Sequence, residues 1–225
     1  MPDLTQEILA NIRRAAALQL WQLGAVKVNL DQPFKLTSGN YSPIYVNCRR
    51  LISSVAFADL FAAAARTLVE SENISFDVLA GGETAGIPFA AFLARSFGKP
   101  MVYVRKAAKE HGLSSLVEGA LTSGARVLLV EDLITDAGSK LHFVKGINDA
   151  GGTVVDVLVL FDRQQGGREA LQEKGIRLHA VTDMSTALEA ADSGGVLAAE
   201  ELRVVRAYLR SPREWNRERS LAFMG

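Results

Sequence analysis

The chain has 225 residues, 48% of them hydrophobic and 22% charged, which is the balance of an ordinary globular protein with a substantial core. Basic and acidic residues number 25 each, so the formal net charge is zero and no overall field favours nucleic acid or an anionic membrane. The single cysteine excludes an intrachain disulfide. Without a signal-peptide layout or an apolar run of roughly 20 residues, we expect a cytoplasmic protein with no nucleic-acid or membrane partner.

Two helices and an irregular stretch are predicted before residue 75. Apolar residues at near-helical spacing predict a helix over 4–23, which Gly24 ends. Residues 25–50 break that period and contain proline and glycine, which indicates short strands and turns. A second amphipathic helix is predicted from about Ser54.

Short aliphatic runs and helical segments alternate through the rest of the chain. The runs are typical of strands covered on both faces of a parallel sheet, and they lie at 76–80, 101–104, 127–130, 154–161 and 176–181. Helices are predicted at 85–97, 138–149, 167–174 and 196–209. This alternation predicts an α/β fold with a doubly wound, mostly parallel sheet.

Polar or glycine-rich residues follow four of these predicted strands, at 81–86, 105–111, 131–139 and 162–164. In an open α/β sheet, ligands bind beyond the carboxyl ends of the strands. The sequence therefore predicts an active site along that edge.

Segment 127–139, VLLVEDLITDAGS, places two carboxylates before a short loop that opens a helix. Backbone N–H groups, hydroxyls and the positive end of the helix suit a phosphate monoester, and Gly138 allows the backbone to approach it closely. Glu131 and Asp132 then lie within reach of the hydroxyls of a sugar attached to that phosphate. The alternative interpretation is two carboxylates that cap a strand before an ordinary turn, because short motifs also match by chance.

The same 13 residues resemble the signature with which type I phosphoribosyltransferases bind phosphoribosyl pyrophosphate (PRPP). The resemblance implies that loop 135–139 holds the ribose 5-phosphate and that Glu131 and Asp132 contact the ribose hydroxyls. The PRPP-binding stretch that it implies continues through Leu133, Ile134, Thr135, Asp136, Ala137, Gly138 and Ser139.

Segment 105–125 has neither helical nor strand periodicity, and an irregular connection of that length often serves as an active-site lid. Its first residues, Arg105, Lys106, Lys109 and His111, follow a pattern that resembles the catalytic loop of orotate phosphoribosyltransferases. The resemblance implies a flexible loop that closes over PRPP, often that of the neighbouring subunit in a homodimer. Lys109 is then the principal catalytic cation, the other three act on the pyrophosphate, and we place Asp132 in the same catalytic set. A solvated basic loop is the alternative interpretation.

Two further segments resemble orotate enzymes rather than their purine relatives. Residues 34–45 resemble the N-terminal segment that helps to cover the base, and Asp162-Arg163-Gln164 resembles the orotate-binding arginine motif. A guanidinium binds a carboxylate such as that of orotate through two hydrogen bonds, so we assign Arg163 to orotate, with Thr135 as a second contact. A surface salt bridge explains Arg163 equally well when it is taken alone.

Some residues depart from the family pattern or have no assigned role. Thr37 and Ala85 stand where many members have lysine, which weakens the assignment of base and pyrophosphate contacts in those two segments. His142 and His179 lie in a predicted helix and a predicted strand, and we assign them no role.

The resemblance implies one phosphoribosyltransferase domain over 1–225, with a small N-terminal hood at about 1–50, an α/β core at about 74–190 and a C-terminal helical extension at about 195–225. It implies the reaction of orotate with PRPP to give orotidine 5′-monophosphate and pyrophosphate, in de novo pyrimidine biosynthesis. Mg²⁺ should arrive bound to PRPP, with no metal site built from the protein. Two alternatives stay open: transfer to another base, and a non-catalytic regulator that senses PRPP.

Overall fold

In the computed structural model, which describes residues 4–36, 38–107 and 116–223, the chain begins with a long helix and four short strands. These elements are α1 (Leu4–Gln22), β1 (Val26–Val28), β2 (Phe34–Lys35), β3 (Tyr41–Ser42) and β4 (Ile44–Val46), followed by a 3-10 helix (Cys48–Ser53) and α2 (Val55–Ser71). β1 pairs antiparallel with β4, and β2 with β3. The side chain of Ser54 accepts a hydrogen bond from the N–H of Phe57, which fixes the start of α2 where the sequence predicts it.

A six-stranded sheet follows, and its strands alternate with helices. In chain order the elements are β5 (Val78–Gly82), α3 (Gly86–Phe97), β6 (Met101–Val104), β7 (Val117–Glu118), β8 (Arg126–Ile134), α4 (Gly138–Asp149), β9 (Thr153–Asp162), α5 (Gly167–Gln172), β10 (Arg177–Asp183), α6 (Met184–Ser193), α7 (Ala199–Arg210) and α8 (Pro212–Glu218). The strand order is β10-β9-β8-β5-β6-β7, and every neighbouring pair is parallel except β6 with β7. The predicted α/β fold with a doubly wound, mostly parallel sheet is confirmed.

The sheet is buried on both faces because its central strands are apolar at successive positions. In β8, Leu128 and Val130 belong to the larger apolar cluster, which also takes in α1, α2, α3 and α6. Val127 and Leu129 belong to the second cluster, which lies beneath α4 and includes Phe143. None of the helices in the described ranges is both long and apolar enough to cross a membrane.

The two ends of the chain meet through one buried side chain. Asn216 of α8 accepts a hydrogen bond from the N–H of Tyr41 at 3.2 Å and donates one to the carbonyl of Tyr41 at 3.0 Å. Asn216 is fully buried, so this pair of bonds ties β3 to the C-terminal helices away from solvent.

Several predicted boundaries were wrong. The run at 127–130 was expected to end at Val130, but β8 continues to Ile134 because Leu133 and Ile134 still pair with β9. Glu131 and Asp132 therefore lie inside a strand. Within the segment 105–125, which was expected to be irregular, β7 pairs with β6 over two residues, too few to produce a period. The sequence analysis also missed α6, and it did not separate α8 from α7 within the predicted helical extension.

The glycine pair that ends β5 is required by close packing on both sides. A Cβ on Gly81 would lie 2.8 Å from the carbonyl oxygen of Gly86. A Cβ on Gly82 would lie 2.2 Å from Oε1 of Glu131 and 2.4 Å from Cε2 of Phe143. A larger residue at either position forces these neighbouring atoms to shift, so glycine is favoured at the end of β5.

We expect Gly82→Ala to lower the free energy of unfolding by about 1–3 kcal/mol, because the added methyl overpacks the space between β8 and α4. Urea denaturation measures this change. Gly138→Ala is the matched control, since the nearest atom to its Cβ is 3.6 Å away, and it should stay within about 0.5 kcal/mol of the parent. Equal stability of the two variants would contradict the packing argument.

Candidate functional site

The carboxyl ends of β5, β6, β8 and β9 lie side by side at one edge of the sheet, because these four strands are parallel neighbours. The segments that follow them are therefore adjacent, although they are up to 80 residues apart in the chain. They carry Glu83, Arg105 and Lys106, the loop 135–137, and Arg163. This is the edge where the sequence predicts an active site.

The loop between β8 and α4 is shaped for an anion. Ala137 adopts a left-handed conformation with φ 67°, and the carboxylate of Asp136 accepts a hydrogen bond from the N–H of Gly138 at 3.0 Å. The first intrahelical bond runs from the N–H of Leu141 to the carbonyl of Ala137. The N–H groups that precede it have no intrahelical acceptor, and they lie at the positive end of the helix dipole. Gly138 and Ser139 are exposed, so an anion has access to this end of α4.

Glu131 is almost fully buried, with 4% of its surface exposed. Its Oε2 forms an ion pair with Nζ of Lys140 at 2.8 Å. Its Oε1 lies against Gly82 and Gly86, since a Cβ on either glycine would be 2.2 Å from it. Oε1 makes no hydrogen bond with the described residues, although the N–H of Gly82 faces the carboxylate. Burial raises the pKa of Glu131, and the charge of Lys140 opposes that rise.

Asp132 follows Glu131 in the strand, so the two side chains project to opposite faces of the sheet. Burial raises the pKa of Asp132 as well, and the positive charges of Lys140 and Arg49 lower it. Asp132 also acts on the buried thiol of Cys48: burial first, and then the charge of Asp132, raise the pKa of that cysteine. The structure thus places Glu131 against α4 and Asp132 on the side of the sheet where Cys48 and Arg163 lie.

Arg163 is held at the end of β9 by its own backbone, whose N–H donates to the carbonyl of Ile134 at 3.0 Å. Burial lowers the pKa of its guanidinium, while Tyr208, Cys48 and Tyr45 oppose that effect. Nε of Arg163 is buried and has no hydrogen-bond partner in the described part of the chain. The surface salt bridge considered for Arg163 is not found among the described residues. The neighbouring Asp162 instead pairs with Arg168 at 3.4 Å.

The residues that flank Arg163 are also fixed in place. The carboxylate of Asp162 accepts a hydrogen bond from the N–H of Gln164 at 2.8 Å. The side-chain oxygen of Gln164 in turn accepts hydrogen bonds from the N–H and the hydroxyl of Ser185 in α6. A cavity of about 200 Å³ lies beside this turn, between Arg163, Met184 and Leu209. The turn thus holds Arg163 at the wall of this cavity, with its Nε unpaired in the part of the chain that the structure describes.

The base of the predicted lid is a two-stranded stem. β6 and β7 pair, and the N–H of Arg105 donates to the carbonyl of Leu116 at 2.8 Å. The carboxylate of Glu83 accepts a hydrogen bond from the N–H of Lys106 at 2.8 Å, which ties the stem to the loop after β5. Nη1 of Arg105 is buried without a hydrogen-bond partner in the ranges described. The predicted lid residues Lys109, His111 and Gly112 lie outside the described residues, as does Thr37.

The two histidines without an assigned role, His142 and His179, lie in different surroundings. His142 is exposed on α4, and His179 is buried with its ring 2.8 Å from a carboxylate oxygen of Asp156.

Three residues at the site were missed by the sequence analysis, namely Glu83, Lys140 and Tyr208. Lys140 was adjacent to a recognised motif and Glu83 lay in the recognised segment 81–86, whereas Tyr208 has no signal in the sequence. Within the described ranges, no three His, Cys, Asp or Glu side chains converge as a metal site would require.

Comparison with known proteins places this geometry in a family. The model of the phosphoribosyl transferase domain matches residues 51–177. The orotate phosphoribosyltransferase of Sinorhizobium fredii is 43% identical over 204 residues, which are 89% of this chain and 88% of the relative. The crystal structure of orotate phosphoribosyltransferase from Aeropyrum pernix has a TM-score of 0.70 and 34% identity, covering 81% of this chain and 99% of that one. That of the Mycobacterium tuberculosis enzyme in complex with PRPP has a TM-score of 0.63 and 27% identity, covering 78% and 98%.

Proposed function

Because the chain belongs to the orotate phosphoribosyltransferases of the phosphoribosyl transferase family, we propose that its strand-end site transfers the 5-phosphoribosyl group of PRPP to orotate and releases pyrophosphate. One observation carries the assignment. The N–H of Arg163 bonds to Ile134 at the end of β8, which places Arg163, with its unpaired buried Nε, beside the anion-binding loop. A carboxylate-bearing base and a sugar phosphate can thus be held side by side.

The 5-phosphate of PRPP binds at loop 135–139. The open N–H groups at the start of α4 and the hydroxyls of Thr135 and Ser139 supply donors, and the helix dipole adds positive charge. Leu133 and Ile134 fix the loop at the end of β8. Asp136 shapes the loop through its bond to Gly138.

Asp132 accepts hydrogen bonds from the ribose hydroxyls. It precedes the phosphate loop 135–139 in the chain, and it projects from the face of the sheet where Arg163 lies. Glu131 contributes from the other face, where its carboxylate is already held by Lys140. The two acidic residues therefore act differently, Asp132 as the more direct sugar contact and Glu131 as a fixed negative charge beside it.

Arg163 binds the carboxylate of orotate through its guanidinium, and Thr135 contacts the base. A purine base has no such carboxylate and would leave this partly buried cation unpaired, which is costly. The lysines that many members carry are absent at Thr37 and Ala85, so Arg163 has a larger share of orotate binding in this chain.

Catalysis consists mainly of positioning and electrostatic stabilisation. The bond from the anomeric carbon to pyrophosphate breaks as the base nitrogen attacks, and negative charge grows on the leaving group. Arg105 and Lys106 at the lid stem, together with Lys109 and His111, stabilise that charge. Glu83 positions the stem through the N–H of Lys106.

Mg²⁺ enters with PRPP. This ion prefers oxygen ligands and keeps waters and substrate phosphates around it, so it needs few ligands from the protein. Asp132, proposed as the contact of the ribose hydroxyls, is a carboxylate of the kind that fits a sugar-bound metal complex. When bound, the ion neutralises part of the pyrophosphate charge.

The chain acts as a homodimer whose lid serves the neighbouring subunit. A groove between α2 and α3 suits a second copy: it is lined by small residues, among them Ala58, Ala62 and Ala91, and it carries both Asp59 and Arg66. Opposite charges within one patch favour a self-complementary contact about a two-fold axis. Val55, at the start of α2, is 80% exposed and extends the apolar part of this surface.

All of 1–225 forms one domain, with the hood at about 1–50, the core at about 74–190 and the extension at about 195–225. The larger apolar cluster supports a single domain because it contains residues of every part, from Leu9 to Trp215. The bonds between Asn216 and Tyr41 join the extension to the hood.

The function is tested by pyrophosphate release from PRPP and Mg²⁺ with a panel of bases. We expect orotate to support turnover. Uracil, which differs from orotate by the carboxylate, should be at least about a hundredfold poorer because Arg163 is then unpaired. Adenine and hypoxanthine should be inactive. Turnover with a purine and none with orotate would contradict the proposal.

Arg163→Ala should lower kcat/KM for orotate by about ten- to a hundredfold, since a charged hydrogen bond contributes about 1.5–3 kcal/mol. The KM for PRPP should stay within about twofold of the parent. Arg206→Ala is the matched control, because it breaks only an exposed ion pair with Asp192. A collapse of PRPP binding with orotate binding spared would reverse the two subsites.

Mixing Lys109→Ala subunits with Asp132→Asn subunits should restore activity that neither variant has alone. If the lid crosses the interface, each mixed dimer has one site with both lesions and one site with neither. Activity of the mixture is compared with that of each unmixed variant, with heterodimers confirmed by native mass spectrometry. Heterodimers without recovered activity would show that each lid serves its own subunit.

A further inference from the structure

Lys140 stands in a place that is unfavourable for a lysine. It lies in the first turn of α4, where the helix dipole is positive, and only 7% of its surface is exposed. Lysine is favoured at the opposite end of a helix and is rarely buried unless it is paired. A residue that conflicts with its local surroundings in this way often serves the site beside it.

The contacts of Lys140 join the two halves of the phosphate-binding motif. Its Nζ lies 2.8 Å from Oε2 of Glu131 in β8 and 3.2 Å from Oγ of Ser139 in the loop. An ammonium group only donates hydrogen bonds, so the oxygen of Ser139 accepts this one. The hydroxyl hydrogen of Ser139 must then point away from Lys140, and Ser139 is exposed at the mouth of the loop.

We propose that Lys140 is a positioning residue for PRPP: it fixes the carboxylate of Glu131 and turns the hydroxyl of Ser139 into a hydrogen-bond donor for the 5-phosphate. The inference rests on the proposed function of this site. Nζ of Lys140 is already bound to Glu131 and Ser139, and Lys140 acts on PRPP through these two neighbours. Its effect therefore falls on PRPP rather than on orotate.

The charged groups around Glu131 also support a positioning role for Lys140. Lys140 faces it from α4, and β5 and α3 present the glycines Gly82 and Gly86, which do not titrate. Asp132 projects from the opposite face of the same strand, and its negative charge raises the pKa of Glu131. Burial raises the pKa of Glu131 and of Asp132, and Lys140 lowers both. Loss of Lys140 removes the lowering influence, so both carboxylates take up protons at a higher pH than in the parent.

Lys140→Met tests the proposal, with Lys145→Met as the matched control. Lys145 lies in the same helix with 73% of its side chain exposed, paired only with Asp149 on the surface. For Lys140→Met we expect the KM and the calorimetric dissociation constant for PRPP to rise at least about tenfold, while the KM for orotate changes less than about twofold. The acid limb of kcat/KM for PRPP should move to higher pH, because the charge of Lys140 lowers the pKa of both carboxylates in the parent. Lys140→Arg, which keeps the charge, should return that limb towards the parent.

A purely structural role would lower the thermal midpoint but leave the acid limb and the ratio of the two KM values unchanged. If Lys140→Met does not fold, Lys140→Ala takes its place, since alanine is the best helix former and lacks both the charge and the hydrogen-bond donors. Folded Lys140 variants with the PRPP affinity and acid limb of Lys145→Met would overturn the proposal. PRPP binding is titrated without orotate, so it tests the role of Lys140 independently of turnover. A parent enzyme that binds PRPP but does not turn over orotate would contradict the proposed function alone.

Discussion

The buried carboxylate of Glu131 occupies a space between β5, α3 and α4, and the surrounding sequence is constrained by it. Gly82 and Gly86 leave room for Oε1, and a Cβ on either would overlap it. Lys140 compensates the charge from the first turn of α4. A buried pair of this kind contributes little net stability but is costly to break on one side. The pair thus links three elements that meet at the phosphate loop, and a change in any of them alters the site.

A chain with no net charge builds its anion site from short-range features. The start of α4, the free edge of Arg163 and the buried Nη1 of Arg105 each present donors at the same strand edge. Glu131 and Asp132 are embedded among them, so the local charge is close to balanced before ligand binds. Such a site favours a ligand that carries both phosphate groups and hydroxyls over a simple polyanion, because both kinds of partner must be satisfied.

The sequence alone predicted the architecture well, because aliphatic runs and helix signals are local. The helix at 138–149 matched α4 residue for residue, and the run at 101–104 matched β6. The end of β8 was misplaced since polar Glu131 and Asp132 hide a pairing with β9 that is visible only in three dimensions. Tyr208 was missed for the same reason: its approach to Arg163 depends on how α7 packs, and no local pattern encodes that. The loop proposed to bind phosphate could be recognised because its residues are contiguous.

The bonds between Tyr41 and Asn216 span 175 positions of the chain. During synthesis the ribosome releases the N-terminal segment long before Asn216 exists, so β3 has to wait without its buried partner while the sheet assembles. The segment expected to cover the base is therefore completed last. In a nascent chain that has not yet reached α8, the N–H and the carbonyl of Tyr41 lack the buried partner that Asn216 supplies in the folded protein.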